Sequence, residues 1–177
     1  MDIQGQVDVL RAAIRDVPDF PRKGIVFKDV TTLFKDPALF RRTLDLLTVA
    51  GGERPVDKVV AIESRGFILG GALATRLGAG FVPVRKPGKL PARTLQATYE
   101  LEYGKDTLEI HEDALARGER VLVVDDVIAT GGTARAVGDL VERLGATVAG
   151  YLFLVELTFL KGRDKLAGHA VASLIRY

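Results

Sequence analysis

The chain has 177 residues, of which 47% are hydrophobic and 27% charged, a balance typical of one globular domain and not of a disordered protein. Its net charge of +2 at pH 7 is too small to indicate nucleic-acid binding by itself. Cysteine is absent, which excludes disulfides, a thiol nucleophile and a Cys-bound metal, and favours a cytoplasmic protein.

The N-terminal region predicts a helix followed by a loop. Apolar residues recur at helical spacing from Ile3 to Val17, so they share one face of an opening helix. The stretch from Phe20 to Phe34 mixes Pro, Gly, Phe and Val, which predicts a loop with a short extended piece at Ile25 to Phe27. This start lacks the pattern of a signal peptide, and no apolar run approaches the ~20 residues of a membrane span, so we expect no membrane contact.

The following region predicts alternating helices and strands. Asp36 and Pro37 form a typical helix start, a capping side chain before a proline at the first helical position, and the helix continues to Gly51. Three further elements are predicted: a strand at Lys58 to Ile62, a helix at Phe67 to Leu77 and a strand at Phe81 to Val84.

Two stretches that alternate apolar and polar residues predict a β-hairpin. They run from Arg93 to Glu102 and from Leu108 to His111. The hairpin falls between core strands in the sequence, so we expect residues 93–111 to leave the sheet as a flexible flap.

The run from Val121 to Val124 is apolar and rich in β-branched residues, which predicts a strand buried on both faces of a parallel sheet. Asp125 and Asp126 come where we expect this strand to end, and a helical pattern runs from Ala134 to Leu144. Three closing elements are predicted: a strand at Val148 to Leu157, a short helix or turn at Lys161 to Leu166 and a strand at Val171 to Ile175. The alternation indicates an α/β fold with a mainly parallel central sheet flanked by helices.

The loop after the two acids has the composition of a phosphate cradle, with two glycines and two hydroxyl side chains beside a helix N-terminus. The loop consists of Ala129, Thr130, Gly131, Gly132 and Thr133. It matches neither a Walker loop nor a Gly-x-Gly-x-x-Gly dinucleotide turn. The adjacent acids would repel a phosphate, so they need hydroxyl donors or a cation, such as a ribose diol or a hydrated Mg²⁺. The alternatives are a plain strand-to-helix turn and an acidic pocket of the receiver-domain type.

A second candidate anion site combines two segments. Ser64 and Arg65 lie in a polar turn before a small-residue helix, where backbone N–H groups and a guanidinium can bind an anion. Arg85, Lys86 and Lys89 form a cluster of cations directly after a strand. The alternative for this cluster is a solvated surface loop.

The segment from Asp125 to Thr133, Asp-Asp-x-x-Ala-Thr-Gly-Gly-Thr, resembles the 5-phosphoribosyl-1-pyrophosphate (PRPP) motif of type I phosphoribosyltransferases. Three further segments are similar to the adenine phosphoribosyltransferases: Glu63-Ser64-Arg65-Gly66-Phe67, Val84-Arg85-Lys86-Pro87-Gly88-Lys89-Leu90-Pro91 and Leu101-Glu102-Tyr103-Gly104. The resemblance extends from about Phe20 to Tyr177. Lys28, where the family usually has arginine, and Val127-Ile128, where paired leucines are usual, depart from it.

The resemblance implies roles for these residues. Asp125 and Asp126 would hold the ribose hydroxyls of PRPP, and Ala129 to Thr133 would bind its 5′-phosphate. Pyrophosphate would be bound by Ser64, Arg65, Arg85, Lys86 and Lys89. Arg65 would also be catalytic, together with Glu102 as the acid or base for a purine ring proton and Tyr103 as a cover over the reacting centre.

The resemblance also implies an apolar slot for the base. Adenine would be contacted by Val26, Phe27, Lys28 and Ile128, with Val26 and Lys28 reading its edge through backbone groups. In similar enzymes the turn after the first core strand carries a cis peptide, which here would join Glu63 and Ser64.

The implied architecture is a single type I phosphoribosyltransferase domain over residues 1–177, with a small N-terminal hood at about 1–34. The implied reaction transfers the phosphoribosyl group of PRPP to adenine, giving AMP and pyrophosphate, in a homodimer. Mg²⁺ would be bound by PRPP, pyrophosphate and water, with no direct protein ligand. The alternatives are a xanthine or hypoxanthine/guanine transferase, and a non-catalytic PRPP-sensing regulator, for which the sequence offers no nucleic-acid surface.

Overall fold

The computed structural model of the protein describes residues 2–52, 55–100 and 105–177. The chain forms two compact units, one ending at Leu46 and the other running from Leu47 to Tyr177. A single-domain organisation with residues 1–34 as a hood stays a prediction. No helix in the described part of the chain has the length and apolar character needed to cross a bilayer.

The first unit contains a helix, a two-stranded sheet and a short second helix. Helix α1 (Ile3–Ala13) leads into strand β1 (Arg15–Pro18), which pairs antiparallel with β2 (Val26–Asp29) before the short helix α2 (Thr31–Phe34). Helix α3 (Pro37–Gly51) runs from this unit into the second.

The prediction that the opening helix reaches Val17 is wrong. The chain turns extended at Ile14, with φ −69° and ψ 133°, and Val17 pairs with Phe27 across the small sheet. The predicted loop after it is also only partly correct, because the extended piece continues to Asp29 and a helical turn follows. Both errors arise because the β1 and β2 ladder depends on a partner strand that local periodicity does not reveal.

The start of α3 is confirmed. The Asp36 Oδ1 atom accepts hydrogen bonds from the backbone N–H groups of Ala38 and Leu39, both at 2.9 Å. Pro37 occupies the first helical position, where its missing N–H costs nothing.

The second unit is built on a five-stranded parallel sheet. After α3 its elements are, in chain order, β3 (Lys58–Ile62), α4 (Arg65–Leu77), β4 (Gly80–Val84), β5 (Thr94–Glu100), β6 (Lys105–His111), β7 (Arg120–Ile128), α5 (Gly132–Arg143), β8 (Thr147–Glu156), 3₁₀ segments at Thr158–Leu160 and Gly162–Leu166, and β9 (Val171–Arg176). The strand order is β4-β3-β7-β8-β9 with parallel neighbours, which confirms the predicted fold class. Strands β5 and β6 form the predicted antiparallel hairpin, whose tip lies outside the described residues.

Helices α4 and α5 pack on opposite faces of the sheet. A Cβ built at Gly70 of α4 would lie 2.4 Å from the Ala61 Cβ, so the helix backbone approaches that face of β3 closely. Val60 and Ile62, which alternate with Ala61 along the strand, belong instead to the core that contains Val137 of α5. The result is the helix-covered parallel sheet that the sequence predicts.

Strand β7 is longer than predicted. Its pairing with β3 ends at Ala61 and Val124, but its pairing with β8 continues to Ile128 opposite Glu156. Asp125 and Asp126 therefore lie within the strand, in the part that β3 no longer covers. The expectation that the strand ends before the acids is wrong because β8 extends the ladder.

Candidate active site

The phosphate loop (residues 129–133) crosses directly over a second piece of backbone. A Cβ built at Gly131 would lie 2.1 Å from the Gly162 carbonyl oxygen, and one built at Gly162 would lie 2.2 Å from the Ala129 oxygen. Gly131 precedes α5 with φ +76°, a left-handed conformation that favours glycine. The loop is therefore held from behind by the segment that begins at Gly162, which the sequence analysis left without a role.

The other positions of this loop face the N-terminus of α5. Thr130 is exposed, whereas Gly132 is the buried first residue of the helix. Burial raises the pKa of the Tyr99 phenol on the hairpin, and the nearby Thr133 side chain partly opposes that rise. Small residues, backbone N–H groups and a helix start thus meet where the sequence predicted a phosphate cradle.

The two acids beside the loop have different surroundings. Asp126 is 5% exposed, and its Oδ2 atom accepts a hydrogen bond from the Arg65 Nε. The Asp125 Oδ1 atom accepts the Asp126 backbone N–H at 2.9 Å and packs against Gly66, where an added Cβ would lie 2.8 Å from it. The acids are therefore adjacent in sequence, but Asp126 has a cationic partner within the protein.

Burial raises the pKa of Asp125 well above its usual value, and the negative charge of Asp126 raises it further. An ionised carboxylate at this position is unfavourable until a donor or a cation approaches it. Hydroxyl groups of a ligand would supply such donors. Within the described ranges, no group of three or more His, Cys, Asp or Glu side chains is arranged to hold a metal ion.

The turn after β3 begins with the expected cis peptide between Glu63 and Ser64. Ser64 is exposed at the N-cap of α4, and its carbonyl accepts the Phe67 N–H at 3.2 Å. Arg65 is the first helical residue, which directs its guanidinium toward the end of β7.

The basic loop (residues 85–89) follows β4 and is organised by the carboxylate of Glu63. The Glu63 Oε2 atom accepts the Lys86 backbone N–H at 2.9 Å and the Arg85 Nε–H at 3.3 Å, while Oε1 accepts from the Lys89 Nζ. Burial opposes ionisation of Glu63, but the hydrogen bonds from Lys89 and from the Lys86 N–H outweigh it and lower its pKa. The predicted cations are thus gathered around an acid to which the sequence analysis gave no role.

A second buried acid holds the same loop from the hairpin. Glu109 is 4% exposed, and its Oε2 atom accepts the Gly88 N–H at 3.1 Å. The backbones of Glu109 and Arg85 exchange hydrogen bonds of 2.7 and 3.0 Å. The Arg85 guanidinium also donates to the Lys89 carbonyl at 3.2 Å and lies 6.0 Å from the centre of the Phe67 ring. The basic loop is therefore fixed on several sides and is not a freely solvated loop.

Lys86 connects the basic loop to the hairpin. Its Nζ donates to the Asp106 Oδ2 at 2.9 Å, which raises the pKa of Lys86. The Tyr99 hydroxyl, directly opposite Asp106 in the hairpin, lies 3.4 Å from the same oxygen. These partners could not be found from sequence, because strand pairing brings distant positions together.

The remaining predicted site residues lie elsewhere or outside the described chain. Val26 is exposed on β2, Phe27 packs edge-on against Phe20 at 5.2 Å, and Lys28 donates to Asp16 at 2.7 Å, all within the first unit. Ile128 is 2% exposed in the core of the second unit. Glu102 and Tyr103 fall outside the described residues, and the roles of all six stay predictions.

Comparisons with known proteins identify the family of this chain. A model of the phosphoribosyl transferase domain matches residues 43–168. A curated relative from Geotalea uraniireducens, named adenine phosphoribosyltransferase, is 55% identical over 171 residues, covering 97% of this chain and 100% of that protein. The crystal structure of adenine phosphoribosyltransferase from Thermoanaerobacter pseudethanolicus is 54% identical with a TM-score of 0.95, covering 97% of this chain and 99% of that one.

A structure with bound molecules is also similar. It is adenine phosphoribosyltransferase from Saccharomyces cerevisiae, complexed with an imino-altritol bisphosphate and adenine. It has a TM-score of 0.90 at 46% identity and covers 97% of this chain and 99% of that one. The chain belongs to the phosphoribosyltransferase family, and these relatives place it among the adenine phosphoribosyltransferases.

Proposed function

We propose that the protein transfers the 5-phosphoribosyl group of PRPP to adenine, giving AMP and pyrophosphate. The activity named for its full-length relatives supports this reaction. The observation that carries it is the convergence of a phosphate loop, an acidic pair and a basic loop at the carboxyl ends of β7, β3 and β4, which are neighbours in the sheet. Open parallel sheets bind ligands at this edge.

PRPP has three parts, and each matches one part of the site. We assign the 5′-phosphate to residues 129–133 and the ribose hydroxyls to Asp125 and Asp126. The pyrophosphate is assigned to Ser64, Arg65, Arg85, Lys86 and Lys89. The raised pKa of Asp125 supports the ribose assignment, because a diol supplies the donors that its carboxylate lacks.

The chemical step replaces one bond at C1′ by another. The C1′–O bond to pyrophosphate breaks with its electron pair on the leaving oxygen, and a purine ring nitrogen forms the new bond to C1′. Positive charge develops on the ribose and negative charge on pyrophosphate. Cations that are already in place stabilise that negative charge without reorganising, which is the contribution we assign to Arg65 and the basic loop.

Base recognition rests on the family resemblance. We assign apolar contacts with adenine to Phe27 and Ile128 and edge recognition to the backbone of Val26 and Lys28. The Lys28 ammonium is held by Asp16 at 2.7 Å, so a backbone role explains why lysine can replace the usual arginine. Glu102 is assigned the purine ring proton and Tyr103 the cover over the reacting centre.

Mg²⁺ is the metal that we propose for the reaction, carried by PRPP and pyrophosphate. Mg²⁺ commonly keeps several waters and uses substrate phosphates with only one or two carboxylates. The donor set fits this mode, since Asp125 and Asp126 can accept hydrogen bonds from its waters. When bound, the metal would neutralise part of the pyrophosphate charge.

Turnover with a panel of bases tests the proposed reaction. The protein should form product from PRPP and Mg²⁺ with adenine, and much less with hypoxanthine, guanine, xanthine or orotate. Preference for another purine would shift the assignment to that transferase. No product with any base would favour a PRPP-binding regulator.

The ribose assignment has its own test in Asp126→Asn. The substitution removes a charge-assisted contact worth about 1.5–3 kcal/mol, so kcat/KM for PRPP should fall by about 10- to 150-fold. Asp126→Asn also weakens the ion pair with Arg65, so the Tm of the variant is measured to separate a loss of stability from a loss of ribose binding. Unchanged kinetics in a folded variant would refute the assignment.

We also propose that the protein is a cytoplasmic homodimer. Family resemblance and the absence of cysteine support these two points. Ile3, on α1, is 59% exposed and marks one candidate contact surface. Sedimentation velocity of the purified protein measures the oligomeric state, and a monomer at micromolar concentration would contradict the proposal.

A further inference from the structure

We propose that Glu63 is a positioning residue of the pyrophosphate site, whose carboxylate holds the donors of the basic loop where the leaving group needs them. The inference rests on the proposed function. Glu63 would not touch the reacting atoms but would act through Arg85, Lys86 and Lys89.

The sheet places Glu63 next to the loop that it organises. Strands β3 and β4 are parallel neighbours and end together at the paired residues Ile62 and Val84. The Glu63 N–H then donates to the Val84 carbonyl at 3.0 Å, which continues the ladder by one bond. The Glu63 side chain is thereby fixed at the point where the basic loop leaves β4.

Both carboxylate oxygens of Glu63 accept from the loop, and the acid is less exposed than its partners. Its side chain is 10% exposed, against 35% for Arg85 and 46% for Lys89. A guanidinium has five N–H donors and an ammonium three, so the contact with Glu63 uses only part of each group. Both cations keep exposed side-chain surface in addition to their contact with Glu63.

The basic loop needs such a support. Its cations lie close together and repel one another, and Gly88 adopts φ +80°, a conformation that glycine permits at little cost. The negative charge of Glu63 offsets this repulsion. Its hydrogen bonds also restrict the side chains of the basic loop before pyrophosphate binds, so binding loses less conformational entropy. Fixing these donors in advance strengthens binding and also stabilises the charge that develops in the transition state.

The test compares Glu63→Gln with a matched control at the other end of the same strand. Asp57 directly precedes β3 and also accepts from one backbone N–H and one arginine, namely Arg120 N at 2.8 Å and Arg120 Nε and Nη2 at 2.9 Å. Asp57→Asn therefore removes a similar charge from the opposite edge of the sheet. Both variants are compared with wild type by calorimetric titration with Mg²⁺-pyrophosphate and by steady-state kinetics.

Glu63→Gln should weaken pyrophosphate binding and raise KM for PRPP by about tenfold or more, while KM for adenine changes by less than about twofold. Asp57→Asn should leave all three constants within about twofold of wild type. A general structural defect would change the adenine and PRPP constants together. If Glu63→Gln does not fold, Glu63→Asp replaces it as the test variant. This substitution keeps the charge but shortens the side chain, so it should change pyrophosphate binding and KM for PRPP in the same direction by a smaller factor.

Equal or tighter pyrophosphate binding by Glu63→Gln would overturn the proposal, as would equal losses in the Asp57→Asn control. A double substitution with Lys89→Met provides a further check. If Glu63 acts through Lys89, the two losses should not add. Pyrophosphate binding is measured without turnover, so it tests the role of Glu63 independently of the proposed reaction. A wild-type protein that binds pyrophosphate but does not convert adenine would refute the reaction and leave the comparison of Glu63→Gln with wild type valid.

Discussion

Replacing Gly162 by alanine would place a methyl group against the phosphate loop. A Cβ at this position lies 2.2 Å from the Ala129 oxygen and 2.8 Å from the Gly131 nitrogen, whereas real Cβ atoms essentially never approach closer than 3.0 Å. Both contacts are with backbone, so the loop or the Gly162 segment must move by about 0.8 Å or more. The displaced group is the one to which we assign the 5′-phosphate of PRPP.

The displacement sets the expected size of the effect. A misplacement of about 1 Å in a substrate-positioning group can cost on the order of 100-fold in rate, so kcat/KM for PRPP should fall by about 10- to 100-fold in Gly162→Ala. Overpacking costs about 1–3 kcal/mol, which lowers Tm by about 2–12 °C for a chain of this size. A 10- to 100-fold loss corresponds to about 1.4–2.7 kcal/mol, so the PRPP kinetics and the stability should change by similar free energies.

Gly71→Ala is the matched control. Gly71 lies in α4, and a Cβ built there meets no heavy atom within 4 Å apart from its chain neighbours and the adjacent backbone of the helix. Alanine in a helix interior is more stable than glycine by roughly 0.5–1 kcal/mol, so this variant should keep wild-type kinetics and not lose stability. Initial rates at saturating adenine and differential scanning calorimetry measure both quantities. A Gly162→Ala protein with wild-type kcat/KM for PRPP would refute the idea that this contact fixes the loop.

Two further predictions concern the acids of the site. Because burial raises the pKa of Asp125 in the folded chain, wild-type stability should fall as pH rises from the ordinary Asp value of about 3.9 to that raised pKa; the Tm gain of Asp125→Asn should therefore grow over this interval and be constant above it, while KM for PRPP rises. Calorimetry from about pH 3 to 9, at steps of about one unit, measures the difference, and a gain that does not change with pH across this range would contradict the assignment. Asp106→Asn should raise KM for PRPP by less than about fivefold, because its pair with Lys86 is half exposed and such pairs contribute up to about 1 kcal/mol. A larger change in initial-rate kinetics would show that Asp106 positions Lys86 as strongly as we propose for Glu63.

The sequence predicted those parts of the fold that local patterns determine. The residues of β3 are matched in full because the four residues after Lys58 form a buried apolar run, and α3 begins where Asp36 and Pro37 indicate. The boundary between α1 and β1 was missed because Val17 has a helical spacing from Ile14 and yet pairs with Phe27 in the next strand. The same limit applies to β7, whose length depends on β8.

The sequence also predicted which cations gather at the site, but not what holds them. Arg85, Lys86 and Lys89 form a visible cluster in the sequence, whereas the acids that hold their loop are separated from it by about twenty residues or more. Those acids, Glu63, Asp106 and Glu109, come from β3 and the hairpin, and only strand pairing brings them to the loop. A sequence pattern can therefore identify the groups that face a ligand more readily than those that position them.

The contact between Arg65 and Asp126 changes how the acidic pair should be understood. Two adjacent acids beside a phosphate loop need ligand hydroxyls or a cation, and for Asp126 the protein itself supplies the cation. Asp125 accepts a backbone N–H and has no such ion pair among the described residues, and burial raises its pKa. Asp125 therefore has the stronger need for a ribose hydroxyl. Arg65, which donates its Nε–H to Asp126, is also one of the cations that we propose for pyrophosphate. It would thus couple the group that holds the ribose to the group that stabilises the leaving charge.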